Sequence, residues 1–146
     1  MNFLTAVQEG VTGVSEGLPY ALSKLNSYLG GIHRKMYYIV AAEAKAGKTS
    51  FVNENFLIEP FLYSLQKPEM ELEFWYWATE MDLIEIEASV VSNLIYRFKN
   101  LRLSREYILG RTRTSSGQRI IVPPEHISII EDVYEEYIVP MFGRHD

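Results

Sequence analysis

The chain contains no cysteine. That excludes a disulfide scaffold, a thiolate metal site and a cysteine nucleophile, and it is compatible with a reducing cytoplasm. No apolar run reaches the roughly 18 residues that span a bilayer, so no membrane partner is expected. The opening MNFLTAVQEG lacks the basic segment and apolar stretch of a signal peptide. Positive charge is also short. Fourteen Lys and Arg stand against 19 Asp and Glu, a net charge of −5. No global basic field therefore draws the chain onto nucleic acid. His33, His126 and His145 lack metal-ligand spacing. Internal repeats and low-complexity tracts are absent too.

What is present is an ordinary core-forming composition, 47% hydrophobic in 146 residues, with ten Tyr, seven Phe and two Trp. Residues 18–29 predict a helix. Pro19 suits its first turn, Leu18, Leu22, Leu25 and Leu29 share a face, and Gly30-Gly31 ends it. MYYIVAA, residues 36–42, is apolar, β-branched and aromatic, and predicts a buried strand. A helix is expected from Lys48, with Phe51, Asn55, Ile58 and Leu62 on one face and Pro60 kinking or ending it after Glu59. LEFWYWAT, residues 72–79, predicts a central strand with Trp75 and Trp77 in the core. Asp82 and Glu85 have capping-box spacing before a helix whose stripe is Leu83, Ile86, Val90, Leu94, Phe98 and Leu101. After the polar loop GRTRTSSGQR, Ile120 to Val122 suggest a short strand. A last helix starts at Pro124, carries Ile127, Ile130, Tyr134, Tyr137 and Met141, and should stop at Pro140. Strands separated by helices imply an α/β fold with a parallel sheet and flanking helices. Two units are expected: a lead-in segment over 1–35 and the front of an α/β domain over 36–146.

Between the first expected strand and the helix at Lys48 lies AEAKAGKT, Ala42 to Thr49. It fits the looser Walker A pattern, with Gly or Ala in first position. Such a loop wraps a phosphate in consecutive backbone N–H groups. Small residues (Ala42, Ala44, Ala46, Gly47) let the backbone approach. The helix that follows aims its positive end at the same anion. In these terms Ala42, Glu43, Ala44, Lys45, Ala46, Gly47, Lys48, Thr49 and Ser50 form the nucleotide-binding segment. Lys48 reaches the β- and γ-phosphates of ATP, and the Thr49 hydroxyl ligates Mg²⁺. Ala42 weakens the loop only if its first position needs a positive φ. Lys45 is either solvated at the apex or adds charge near the phosphates or a neighbouring subunit.

Glu80 stands just past the second expected strand. At that edge of an open α/β sheet a carboxylate can orient an attacking water; elsewhere it is a solvated residue before a helix.

The loop followed by a strand ending in ATEM resembles the RecA-fold P-loop ATPases. It is most similar to the DnaB-type replicative DNA helicases of bacteria and phages, whose corresponding strand ends in SLEM. The resemblance implies Glu80 as catalytic base, working with Lys48. GLPYALSKLNSYLGGIHRKMYYIV is similar to the family's helix, Gly-Gly turn and strand before Walker A, with Lys35 where the family often has glycine. YILGRTRT, GQ and PPEHISII resemble its later connection. What the resemblance implies is a cytoplasmic ATPase of a bacterium or phage-infected cell. It would use ATP and Mg²⁺, form a homo-oligomeric ring, and couple hydrolysis to movement on DNA.

A Walker B strand is missing. ISIIED, Ile127 to Asp132, matches only superficially, because an amphipathic helix is expected there. The chain is expected to stop before that strand, to bind nucleotide weakly at best, and to show little or no turnover. A phage DNA-packaging terminase ATPase is an alternative, as is a non-catalytic assembly module with a degenerate P-loop; a small-molecule kinase lacks a visible acceptor site. Arg97, Lys99, Arg102, Arg105, Arg111, Arg113 and Arg119 read as a solvated helix end and loop, with DNA phosphates or a neighbouring subunit as the alternative contact. Glu131, Asp132, Glu135 and Glu136 read as the wet face of the last helix.

Overall fold

A computed structural model describes residues 3–11, 17–79 and 81–143. Two compact units emerge, Met1–Leu72 and Glu73–Asp146. Among the described residues there are helices and two isolated antiparallel bridges, but no β-strand and no sheet. The expected α/β fold with a parallel sheet is therefore corrected to a helical one. The two apolar runs do not pair into a ladder. In residues 36–41, Tyr38 and Val40 are half-buried, whereas Tyr37 (88% exposed) and Ile39 (79%) face outward. In residues 73–79, Phe74 and Tyr76 are half-buried, but Trp75 (74%) and Trp77 (87%) are exposed. That alternation is what extended backbone produces when one side is covered. It places both tryptophans outside the core. Ile120 to Val122 likewise form no strand.

In the first unit, α1 (Phe3–Val11) is followed by a closed loop around α2 (Ser23–Leu29). Leu18 and Ile32 exchange backbone hydrogen bonds of 3.0 and 2.7 Å. The helix therefore starts five residues later than expected, because Leu18 is held in that bridge and Pro19 precedes the helix. Asn26 clamps Tyr20, accepting from its N–H (2.7 Å) and donating to its carbonyl (2.8 Å). Gly30, at φ 66°, caps α2 as expected. Gly31 has φ 93°, and a Cβ there would meet Gly17 carbonyl carbon at 2.7 Å. Both conformation and space demand glycine at this point.

Residues 48–65 form one continuous helical segment: α3 (Lys48–Val52), a π-helical stretch (Asn53–Ile58) and α4 (Glu59–Leu65). Pro60 neither ends nor breaks it. Proline lacks an N–H and clashes with the carbonyl four residues back. The preceding turn widens instead, Glu59 N–H bonding five residues back to Glu54 carbonyl oxygen. Asn55, Leu57, Ile58, Pro60 and Phe61 are buried. Asn55 is a polar member of that core with its needs met. Its Oδ1 accepts from Leu22 N–H at 3.2 Å, and its Nδ2 donates to Phe51 carbonyl at 2.9 Å. Phe56 gathers Tyr20, Tyr38 and Phe51 at ring separations of 5.5, 5.6 and 6.4 Å.

In the second unit the core is built on α5 (Leu83–Lys99), which packs on α6 (Arg105–Ile108) and α7 (Pro124–Val133). Ile86, Val90, Val91, Leu94 and Ile95 are buried, with Leu103, Val133, Ile138 and Met141. Leu83 and Phe98, expected on this stripe, are exposed. Phe98 instead stacks on Tyr137, with centroids 5.1 Å apart. Asp82 is the N-cap of α5 in extended conformation, yet its side chain makes no capping hydrogen bond, so the expected capping box is absent. Pro140 repeats the device of Pro60. A π-helical stretch (Tyr134–Ile138) precedes it, Val139 N–H reaching back to Tyr134, and α8 (Val139–Phe142) continues past the proline. No helix among the described residues is long and apolar enough to cross a membrane.

Candidate functional site

The Ala42 to Thr49 loop lies wholly in the first unit. Residues 41–43 carry no regular structure, Ala44-Lys45 turn the chain, and α3 begins at Lys48. Ala46 N–H closes the turn on Glu43 carbonyl at 3.3 Å. Gly47, the N-cap residue, sits at φ 85° in the left-handed region, a conformation costly to residues with a Cβ. Lys45 adopts φ 63° without glycine's freedom. Ala42 has no positive φ, so its methyl group is compatible with the first position of the loop. Lys35 is at φ 63°, which is the physical reason glycine would suit that place.

Lys48 is folded back over the loop. Its Nζ donates to the carbonyls of Ala42 (3.0 Å) and Glu43 (3.1 Å). Among the described residues, no backbone carbonyl accepts from Lys48, Thr49 or Ser50 N–H. These are the orphan donors of a helix start; Lys48 is half-buried, and Thr49 and Ser50 are exposed. Exposed amides, a helix start and a lysine within one loop are the donor set an anionic polyphosphate needs. Thr49 is exposed and offers one hydroxyl to a cation. Among the described residues, no group of three or more His, Asp or Glu side chains could hold a metal ion. The loop and the helix start thus offer donors of the kind that bind anions, and a single hydroxyl to a cation.

Glu80 and His145 lie outside the described residues. The Glu80 segment belongs to the second unit and the loop to the first. ISIIED is helical, inside α7, and is no Walker B strand.

Beside the loop, in the same unit, is a cavity of about 300 Å³ lined by Tyr20, Leu25, Leu29, Tyr38, Phe51 and Phe56 together with residues 39–41. It is the space above the aromatic cluster. No family model, curated protein or solved structure matches the chain.

Proposed function

We propose that this chain binds ATP with Mg²⁺ through residues 42–50, as the nucleotide-binding part of a DnaB-like DNA helicase. The observation that carries the reading is the loop itself. Eight residues matching the Walker A pattern turn tightly, start a helix, and leave that helix's first N–H groups without a backbone acceptor. ATP would supply the phosphoanhydride whose hydrolysis drives movement on DNA. The chain's own part is to hold the phosphates: amides of the first helical turn donate, Lys48 exchanges two carbonyls for phosphate oxygens, and Thr49 takes a place on the cation. Glu80 is proposed as the residue that orients the attacking water in a homo-oligomeric ring. Without a Walker B aspartate, turnover by the purified chain should be slight.

Labelled-ATP binding with Mg²⁺ tests this, comparing the chain with Lys48→Ala. Equal affinity sinks the assignment. The bonds from Lys48 to Ala42 and Glu43 also favour a second reading, in which the lysine is a structural tie and the loop a non-catalytic module. In that case Lys48→Ala lowers stability and leaves nucleotide binding where it was.

A further inference from the structure

Residues 110–120 of the second unit fold into a small closed loop. Thr114 N–H donates to Gln118 carbonyl (2.8 Å) and Ile120 N–H to Thr112 carbonyl (3.0 Å). These two bonds flank an antiparallel bridge between Arg113 and Arg119. In such a pair the opposed residues do not bond each other, their Cα atoms come closest, and their side chains share a face. Like charges placed directly opposite destabilise a pair. Among the described residues, neither Arg113 nor Arg119 has an ion-pair partner, while Arg111 is paired with Glu85 at 2.7 Å. The loop therefore concentrates cations at a cost in stability, within a chain of net charge −5.

The same arginines line a cavity of about 290 Å³ with Leu109 and Gly110. Each guanidinium is held by one anchor inside the protein. Arg119 Nε donates to Gly110 carbonyl (2.9 Å), Arg113 Nη1 to Gly117 carbonyl (3.1 Å) and Arg111 Nη1 to Glu85 (2.7 Å). With five donors per guanidinium, most remain for a ligand. Gly110 makes room: a Cβ there would lie 2.9 Å from Arg119 Nη2. Anchored planar forks around one cavity match the oxygens of a phosphate group better than a single carboxylate. We propose that the Arg111–Arg113–Arg119 pocket is a phosphate-binding site, separate from residues 42–50 and independent of the function assigned to them. Its ligand is either a terminal phosphate or a phosphodiester.

The test uses the full chain and two probes. Inorganic pyrophosphate is titrated calorimetrically, and a short fluorescein-labelled oligodeoxythymidine is followed by anisotropy at several salt concentrations. Arg113→Gln should weaken binding about tenfold, and the double variant with Arg119→Gln about a hundredfold. Both probes are titrated on the Lys48→Ala background, so that phosphate held at residues 42–50 does not count toward this site and its failure is separate from failure of the nucleotide loop. Pyrophosphate binding alone assigns a terminal phosphate. Oligonucleotide binding whose log–log salt slope falls by about 0.7 for each contact removed assigns a phosphodiester. Arg113 anchors only an exposed loop carbonyl, so Arg113→Gln decides the matter if Arg119→Gln disturbs the loop. Unchanged affinity for both probes overturns the site. So does an equal loss from Lys24→Gln, a surface lysine of the other unit, which would mean charge alone.

Discussion

Lys45 at the apex of the candidate loop has φ 63°, and so does Lys35 in the turn before residues 36–41. Holding a residue with a Cβ in that region costs about 1–2 kcal/mol. Glycine removes this strain but adds roughly 0.5–1 kcal/mol of unfolded-chain entropy to be lost. Comparison with alanine separates the two terms, since Lys45→Ala deletes the side chain and keeps the strain. Lys45→Gly should then be more stable than Lys45→Ala by about 0.5–1 kcal/mol, a few degrees in Tm. Lys35→Gly against Lys35→Ala should repeat the result. Arg34 is exposed without a positive φ, so there glycine should be worse than alanine by roughly 0.5–1 kcal/mol. The assay is urea unfolding followed by circular dichroism. If glycine at 45 and 35 loses to alanine as it does at 34, the left-handed conformations, and the loop geometry built on them, are refuted.

Asn55→Ala strips the acceptor from Leu22 N–H beside a buried side chain, and should cost about 1–3 kcal/mol in urea unfolding. Leu94→Ala, at 0% exposure in α5, should cost about 2–5 kcal/mol by the same measurement. Ser104 caps α6 by accepting from Tyr107 N–H at 3.2 Å, so Ser104→Ala should cost about 1 kcal/mol, read from the thermal midpoint. Burial of Tyr20, with Tyr38 adding to it, raises the phenol's pKa above its ordinary value. The folded state therefore keeps its proton longer than the unfolded one. Stability is intact below about pH 10 and falls as pH rises past it, and Tyr20→Phe should flatten that alkaline limb in urea midpoints measured against pH.

The helices were legible because their signals are local. Gly30 ends α2, Pro124 opens α7, and Ile86, Val90 and Leu94 lie one or two turns apart on a buried face. Glycine, alanine and lysine in sequence likewise located the turn and helix start at Gly47 and Lys48. Pro60, read as a kink or an end, and Pro140, read as a stop, do not end their helices, because the steric rule for proline assumes an α-helical turn before it. A wider turn, bonding five residues back, removes the clash without ending the helix. The closeness of Arg113 and Arg119 was invisible for a different reason. It depends on the backbone bonds that close residues 112–120, and Gly117 and Gln118 gave no period from which to infer that register.

The strands failed for a reason of the same kind. A helix satisfies its backbone within the segment, so composition and period nearly suffice to specify it. A strand is a relation between segments, and its N–H and C=O groups need a neighbour that no local pattern names. LEFWYWAT has the aromatic content of a strand, and its burial alternates in the structure. What it lacks is the ladder. An apolar run on both faces was read as a segment covered on both sides, yet Trp75 and Trp77 are large rings that only a second layer could cover. Among the described residues no such layer exists for them. Period two therefore reports how the backbone runs, and coverage has to be established separately, by finding the residues that would do the covering.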